Sequence, residues 1–251
     1  MVKVPKANDP LGVCSIFDHD DLAITCPIRF RERWIVVEDA AGFFFPTDAK
    51  WTSLTEVPLK DQAGGKAGNL DLVLVSYDSH GKLVDYGALE IQAVYISGNV
   101  RRPFEHYMQN PVQNASMDWL KHPRADYLSS SRKRLAPQLL YKGGILRAWD
   151  KKLAVALHHG FFDTLPVLQG AEQSGADIAW LIYELRHDTP QDKYLLSRLK
   201  TVYTLFSETL EQITKAQVGD ERAFLAELQS RLDEKLDNDN PPDAPLFQFG
   251  P

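Results

Sequence analysis

Cysteine and long apolar runs are scarce in this sequence. The 251 residues include only two cysteines, Cys14 and Cys26, which are too few for a disulfide framework or for a four-cysteine metal site. No apolar run reaches the 18 residues typical of a membrane-spanning helix, and the N-terminus shows no signal-peptide pattern. We therefore expect a cytoplasmic protein with reduced thiols and no membrane partner.

An overall positive charge is also missing. The formal net charge is −6, so the balance of the whole chain does not favour a nucleic-acid partner. The charge is unevenly spread, however, because the segment 121–152 holds nine Lys and Arg residues against two acids. A face that binds a polyanion can therefore exist on an acidic protein.

Helix-like and strand-like patterns alternate along the chain. Apolar periodicity predicts helices over 27–40, 101–121 with a break at Pro111, 129–149, 195–214 and 221–236. It predicts strands over 51–59, 153–157 and 178–185, and a β-hairpin within 68–99. This order indicates one mixed α/β domain over 1–251, with a helical C-terminal part from about 187 to 236 and an irregular tail.

The hairpin carries three polar groups at positions where a strand is usually apolar. If His80–Gly81 is a two-residue loop, Asp71 lies opposite Glu90, and Gln92 shares their face of the sheet. Facing Cβ atoms are roughly 4.5–5.5 Å apart. Two carboxylates at that separation repel each other unless a proton or a cation joins them. A bound divalent metal ion is the simplest explanation.

A simpler alternative is that these acids lie on the exposed face of a one-sided sheet. Both strands of the hairpin are apolar on both faces, as in LVLV and ALEIQAVYI. Such strands are typical of the centre of a sheet, where unpaired polar groups are costly. The sequence therefore favours a functional site over a solvated face.

The acids resemble the active-site signature of the PD-(D/E)xK nucleases, in a D…ExQ variant. Eighteen residues separate Asp71 from Glu90, and Gln92 stands where this superfamily usually has lysine. By this resemblance the catalytic set is Glu56, Asp71, Glu90 and Gln92. Asp71, Glu90 and Glu56 would hold Mg²⁺, with two ions per site, because Mg²⁺ prefers carboxylate oxygens. Gln92 could orient the attacking water but cannot supply the charge of a lysine.

Longer segments are similar to the NotI-type restriction endonucleases. The matching pieces are, in order, LGVCSIF, ITCPIRFRERW, LEIQAVYISGN, SSSRKRLAPQLLYKGGILRAW and LAVALHHGFFDTLP. This resemblance implies an α/β fold with a PD-(D/E)xK restriction-endonuclease-like core, a mixed central sheet flanked by helices. It implies a type II restriction endonuclease, a Mg²⁺-dependent hydrolase that cuts double-stranded DNA at a specific sequence as a homodimer.

Two alternatives remain open at this point. The chain could be a non-specific or repair-type PD-(D/E)xK nuclease, or a catalytically decayed DNA-binding module, which Gln92 would favour. The resemblance would also bring a structural iron held by four cysteines. Because this chain has only two, we expect no structural iron or zinc.

Two basic clusters are candidates for DNA binding. Arg101 and Arg102 follow the hairpin and could meet phosphates, or they could simply form the exposed start of a helix. Arg132, Lys133 and Arg134 follow three serines that predict a helix N-terminus, a position that favours phosphate. A basic run is more often only a solvated face, but we expect both clusters to contact DNA.

The adjacent histidines His158 and His159 are not expected to share a metal ion. They follow the predicted strand at 153–157, and neighbouring residues of a strand point to opposite faces. We therefore expect core or surface roles for them.

Overall fold

Ten strands form three sheets in the computed structural model, which describes residues 13–18, 21–114, 116–117, 123–216 and 218–237. The strands are β1 (Ser15–Asp18), β2 (Asp21–Ile24), β3 (Trp51–Lys60), β4 (Lys66–Tyr77), β5 (Leu83–Gln92), β6 (Tyr95–Ser97), β7 (Arg124–Asp126), β8 (Leu153–His158), β9 (Ile178–Asp188) and β10 (Lys193–Thr204). The chain separates into two compact units, Met1–Thr214 and Lys215–Pro251. All ten strands belong to the first unit.

The helices are α1 (Ile35–Phe44), α2 (Arg101–Gln109), α3 (Tyr127–Ser130), α4 (Ala136–Gln138), α5 (Gly144–Ala148), α6 (His159–Phe162), α7 (Phe206–Thr214) and α8 (Glu221–Asp237). Two π-helical turns, Ser131–Leu135 and Leu139–Gly143, join α3, α4 and α5 into one continuous helical segment, called here the 127–148 helix. Short 3₁₀ helices occur at Pro27–Trp34, Gln173–Gly175 and Thr189–Gln191. Within the described residues, no helix is long and apolar enough to cross a membrane.

The largest sheet is mixed and has the strand order β10-β9-β8-β5-β4-β3. The β3–β4–β5 meander and the β9–β10 pair are antiparallel, whereas β8 is parallel to both β5 and β9. Every residue of β8 is buried, as its continuous apolar sequence LAVAL predicts for a central strand. The expected mixed α/β fold with a central sheet flanked by helices is confirmed.

The two faces of this sheet are covered by different helices. On one face, α1 packs against Leu72, Leu74 and Leu89. Gly87 allows this contact, because a Cβ there would lie 2.5 Å from Cγ of Phe44. On the other face, the 127–148 helix and α7 pack on the alternate residues of the same strands, which include Val73, Ala88, Val155 and Leu157. Because side chains alternate along a strand, Asp71, Glu90 and Gln92 belong to the face that the 127–148 helix covers.

The predicted helix over 195–214 is wrong in its first half. Residues Lys193–Thr204 form β10, which pairs with β9, and only Phe206–Thr214 is helical. The C-terminal part is therefore not helical from about residue 187, since β9 itself runs to Asp188. Over so few residues, the apolar positions around Leu195 and Leu196 do not distinguish a helical period from a strand period. Pairing with the long strand β9 decides the structure.

The predicted helix over 27–40 is broken in two. Pro27–Trp34 is a 3₁₀ helix interrupted by Arg33 and Trp34, which have φ angles of 49° and 59°. The α-helix begins at Ile35 and extends to Phe44. The tail expected at the C-terminus lies outside the described residues, and the single nuclease domain over 1–251 stays a prediction.

Candidate active site

The β4–β5 hairpin has the predicted register. Leu72 faces Leu89, and the pairing continues in step to Ser76 and Asp85. The predicted two-residue loop is wrong, because residues 78–82 form a longer loop and the register shifts after Ser76. Asp78 closes this loop by accepting the backbone N–H groups of His80 and Lys82, both at 2.9 Å. The register shift accommodates one extra residue in β5 next to the loop. The pairing further along the strands is unchanged, so Asp71, Glu90 and Gln92 still share one face.

Asp71 and Glu90 meet where the hairpin ladder ends. One oxygen of Asp71, Oδ2, accepts the backbone N–H of Ile91 at 2.9 Å, which ties the carboxylate to the strand that carries Glu90. Asp71 is partly buried, and Glu90 is only 3% exposed. The predicted pair of close carboxylates is therefore present at the centre of the sheet.

Glu56 lies beside this pair on β3. The β3–β4 ladder pairs Thr55 with Leu72 and Val57 with Leu70, and it skips the position between them, where Glu56 stands opposite Asp71. Glu56 has a φ of 54°, a left-handed conformation that is uncommon for a residue with a side chain. Its exposed carboxylate accepts a hydrogen bond from Nδ2 of Asn69 at 3.2 Å. Such local strain is often found at functional sites.

The environment of Glu90 disfavours its charged form. Burial, followed by the nearby Asp71 carboxylate, raises the pKa of Glu90 to about 7, although the ammonium group of Lys142 acts in the opposite direction. A further cation beside this buried carboxyl group would favour its charged form. The pair Asp71 and Glu90 is thus electrostatically suited to a divalent metal ion.

Gln92 is fully buried and only half satisfied. Its Nε2 donates a hydrogen bond to Oε1 of Gln138 at 2.5 Å. Its Oε1 has no hydrogen-bond partner among the described residues. A buried amide oxygen without a partner is costly, so this atom is available to accept a hydrogen bond from water or from a ligand.

The 127–148 helix contributes a row of three polar side chains that the sequence did not predict as a unit. Arg134, Gln138 and Lys142 follow one another at intervals of four residues, and all three contact β5. Arg134 donates to the backbone oxygen of Ile91 at 3.2 Å. Lys142 donates through Nζ to both oxygens of Glu90, at 2.7 and 2.9 Å. The four-residue spacing of these side chains could have predicted that they share one face of a helix. It does not predict which strand that face covers.

The predicted basic cluster at residues 132–134 is divided by the fold. Arg132 and Lys133 are exposed, whereas Arg134 is 8% exposed and donates to the backbone of β5, so the three residues do not share one surface. A DNA contact by Arg134 stays a prediction. The serine cap is also wrong: Asp126 is the N-cap and accepts the backbone N–H of Ser129 at 2.9 Å.

The other predicted basic pair lies at the start of α2. Arg101 and Arg102 are both exposed, and Arg101 forms an ion pair with Glu105 at 3.1 Å. The DNA contacts of these two residues, and of Arg132 and Lys133, stay predictions.

His158 and His159 form a cluster with Asp21, contrary to expectation. The two ring centroids are 4.3 Å apart, and each Nε2 approaches Oδ2 of Asp21, at 3.4 and 3.1 Å. Strand alternation does not separate them, because β8 ends at His158 and α6 begins at His159. The ligand atoms of the three residues lie within 4.8 Å of one another, so the group could hold a metal ion.

The hydrogen bonds of His158 favour a different account of this cluster. Its Nδ1 accepts the backbone N–H of Gly160 at 3.2 Å. In a neutral imidazole the proton is then on Nε2, the atom that faces Asp21. A metal ion at Nε2 would displace that proton. His159 is hydrogen-bonded to Asp21, whereas Nε2 of His158 lies 3.4 Å from Oδ2 of Asp21 without a hydrogen-bond partner among the described residues.

Protonation of His158 should make stability depend on pH. Burial lowers the pKa of His158 to about 4, against the opposing effect of Asp21. The groups that face it are Asp21, His159, Asp163 and Glu184. As pH falls from 6.5 towards 4, the unfolded chain binds a proton that the folded chain does not, so the free energy of unfolding falls. The full loss is about 3 kcal/mol, from the conversion of pKa shifts into free energy.

The variant His158→Asn should lack this dependence. Its Oδ1 can still accept the N–H of Gly160, but it does not titrate between pH 4 and 7. Urea unfolding at pH 7, 6, 5 and 4.5 measures the effect. We expect the stability advantage of the unsubstituted protein over the variant to shrink as pH falls, and an advantage that is constant with pH would contradict the assignment.

The two cysteines lie at the base of the β1–β2 hairpin. The backbone N–H of Cys26 donates to the backbone oxygen of Cys14 at 3.3 Å. Two thiols supply half of a tetrahedral metal site. The expectation that no structural iron or zinc is bound stays a prediction.

Comparison with known families agrees with this geometry. A family model described as restriction endonuclease NotI matches residues 3–196. No curated protein matches the chain. The matched span contains Glu56, Asp71, Glu90 and Gln92 as well as Lys142 of the facing helix. Because the match covers more than three quarters of the 251 residues, the chain belongs to the NotI restriction endonuclease family, whose members are nucleases that act on DNA.

Proposed function

We propose that this protein is a type II restriction endonuclease, which hydrolyses phosphodiester bonds of double-stranded DNA at a specific sequence with the help of Mg²⁺. The observation that carries the proposal is the buried Glu90 beside Asp71, on a face where Gln92 offers an amide oxygen without a partner among the described residues. The family supports the cleavage of DNA. We also propose that the β3–β4–β5 meander and the 127–148 helix are part of a PD-(D/E)xK core.

The donor atoms of the site suit Mg²⁺. This ion is hard, prefers carboxylate oxygens and keeps several of its waters. Asp71 and Glu90 would hold it, and the exposed Glu56 on the neighbouring strand would hold a second ion or orient a water. When bound, the ion supplies Lewis-acid stabilisation and a more acidic water.

In the proposed hydrolysis, Gln92 orients the attacking water. Water attacks phosphorus in line with the 3′ oxygen and loses a proton, the P–O3′ bond breaks, the 3′ oxygen leaves as a hydroxyl after it gains a proton, and the 5′ phosphate stays on the other product. Gln92 accepts a hydrogen bond from the attacking water through Oε1 and so fixes its direction. Its Nε2 is held by Gln138, which fixes the orientation of the amide.

Cutting both strands of DNA at one site calls for two active sites. We therefore propose a homodimer, whose two-fold symmetry would match a palindromic sequence. Exposed leucines on α8 support a contact there, since Leu225, Leu228 and Leu232 are spaced three and four residues apart. Exposed Arg101, Arg102, Arg132 and Lys133 are the candidates for phosphate contacts. A DNA substrate is compatible with the expected cytoplasmic location.

Digestion of a sequenced phage genome tests the proposal. We expect discrete fragments with Mg²⁺ and none with EDTA, and sequencing of the fragment ends should give one common motif. A smear would favour a non-specific or repair-type nuclease. Binding to DNA without cleavage, in both Mg²⁺ and Mn²⁺, would favour a decayed DNA-binding module. Either of these outcomes would overturn the proposed activity.

A further inference from the structure

We infer that Lys142 is a further catalytic residue, whose ammonium group supplies to the reacting phosphate the positive charge that Gln92 lacks. The inference rests on the proposed nuclease activity. Lys142 lies far from the hairpin in the sequence, on the 127–148 helix, yet its charge reaches the carboxylate of Glu90.

The first observation is the burial and pairing of Lys142. Lys142 is only 6% exposed. Lysine is among the residues that are least often buried, and it is buried only when paired. Nζ lies 2.7 and 2.9 Å from the two oxygens of Glu90. Both members of the pair are therefore held at the face of β5 that carries the candidate active site.

The second observation is the match between the helix and the strand. Gln138 and Lys142 are one helical turn apart and contact Gln92 and Glu90, which are two residues apart on β5. The two helix residues therefore meet the two strand residues pair by pair, Gln138 at Gln92 and Lys142 at Glu90. Arg134 and Lys142 each lie within one of the two π-helical turns, which are frequent at functional sites.

The third observation is the space left for the lysine stem. Gly68 has a φ of +125°, and a Cβ there would lie 3.3 Å from Cε of Lys142. Gly143 is the next residue of the helix. It lets the helix backbone pack closely on the ring of Phe206, because a Cβ at position 143 would lie 2.7 Å from Cε2 of that ring. The absence of a Cβ at Gly68 therefore leaves room beside β4 for the stem of Lys142.

The chemistry explains why a cation is needed at this position. Negative charge on the phosphate oxygens increases as water attacks phosphorus, and fixed cations stabilise that charge. Gln92 is neutral and can act only through hydrogen bonds. An ammonium group on a flexible stem has three donors, so Lys142 can keep one on Glu90 and direct another to the phosphate. The competing account is that Lys142 only neutralises Glu90.

Single-turnover cleavage separates these accounts. The full-length protein is mixed with a duplex that contains the cleavage motif, and binding is measured separately with Ca²⁺ in place of Mg²⁺. We expect Lys142→Met to lower the cleavage rate about 10²–10³-fold, as loss of a transition-state donor does, and to change the Kd for DNA less than threefold. Lys142→Arg should recover part of the rate, because it keeps a charge.

Two further variants exclude a merely structural effect. The double variant Gln92→Lys, Lys142→Met returns a lysine to the strand, and we expect it to cleave at least tenfold faster than Lys142→Met alone. Lys151→Met is the matched control, since Lys151 pairs with Asp85 at 2.6 Å elsewhere on β5, and it should leave the rate unchanged. Thermal melting establishes that each variant is folded.

Three results would overturn the inference. A folded Lys142→Met variant that cleaves at the unsubstituted rate would show that Lys142 is only a counterion of Glu90. A double variant no faster than Lys142→Met, although folded and able to bind DNA, would show that the lysine serves the structure and not the reaction. If the unsubstituted protein cleaves no DNA, the proposed function fails and the inference fails with it.

Discussion

Replacing Asp71 with Asn, or Glu90 with Gln, is expected to lower Mg²⁺-dependent cleavage about 10³-fold, since each change removes a charge that would hold the metal ion. Both substitutions keep the size of the side chain. The amide introduced by Asp71→Asn would still offer an oxygen to the backbone N–H of Ile91, which Asp71 accepts at 2.9 Å. For Asp71→Asn the loss should therefore come from the chemistry and not from the fold. Glu90→Gln also removes the charge that pairs with Lys142 at 2.7 Å, so thermal melting must show that this variant is folded.

The measurement is a single-turnover rate on a duplex that contains the cleavage motif. Binding of the same duplex with Ca²⁺ should persist in both variants, within a few-fold of the unsubstituted protein. Asp85→Asn is the matched control, because Asp85 lies on the same strand as Glu90 but pairs with Lys151. Full activity in either the Asp71 or the Glu90 variant would refute the assigned site.

Replacing Trp180 with Ala is expected to lower the free energy of unfolding by about 3–5 kcal/mol, as loss of a large buried side chain does. Trp180 lies on β9 and is fully buried. Its Nε1 donates to the hydroxyl of Thr204 at 3.0 Å, and its ring lies 6.0 Å from that of Phe162. The substitution would leave a cavity on the same face of the sheet as the candidate site, where Trp180 packs.

Trp149→Ala is the control for this prediction. Trp149 is 49% exposed, so its removal should cost less than about 1 kcal/mol. Urea unfolding followed by circular dichroism gives both values under the same conditions. Equal losses at the two positions would mean that the core is not where the structure places it.

The hairpin and its acids could be predicted because the signals are local. Two apolar, β-branched runs around a short polar segment fix the strand pairing. A period of two residues then decides which side chains share a face. The sequence therefore predicts the hairpin register that places Asp71 near Glu90, even though the loop is longer than predicted.

Lys142 and Arg134 could not be assigned from the sequence because their partners are set by tertiary packing. Both appear in the sequence as members of a basic segment. Only the seating of the 127–148 helix on β5 turns them towards Glu90 and Ile91. The helix also passes through Pro137, a residue that disfavours a helix interior, with π-helical turns on either side.

The histidine cluster and β10 show a different limit. The rule that adjacent residues face apart fails at His158, since the strand ends there and a helix follows. For β10, the periodicity of Lys193–Thr204 does not separate helix from strand, and the long antiparallel pairing with β9 decides. In both cases the deciding contact lies far away in the sequence.

The most direct test of the proposed metal centre is a crystal structure with Mn²⁺ in place of Mg²⁺, in which anomalous scattering locates the ion. We predict a peak about 2 Å from carboxylate oxygens of both Asp71 and Glu90, the distance typical of such small divalent ions. A peak only between Asp21, His158 and His159, with none at Asp71 and Glu90, would contradict the account.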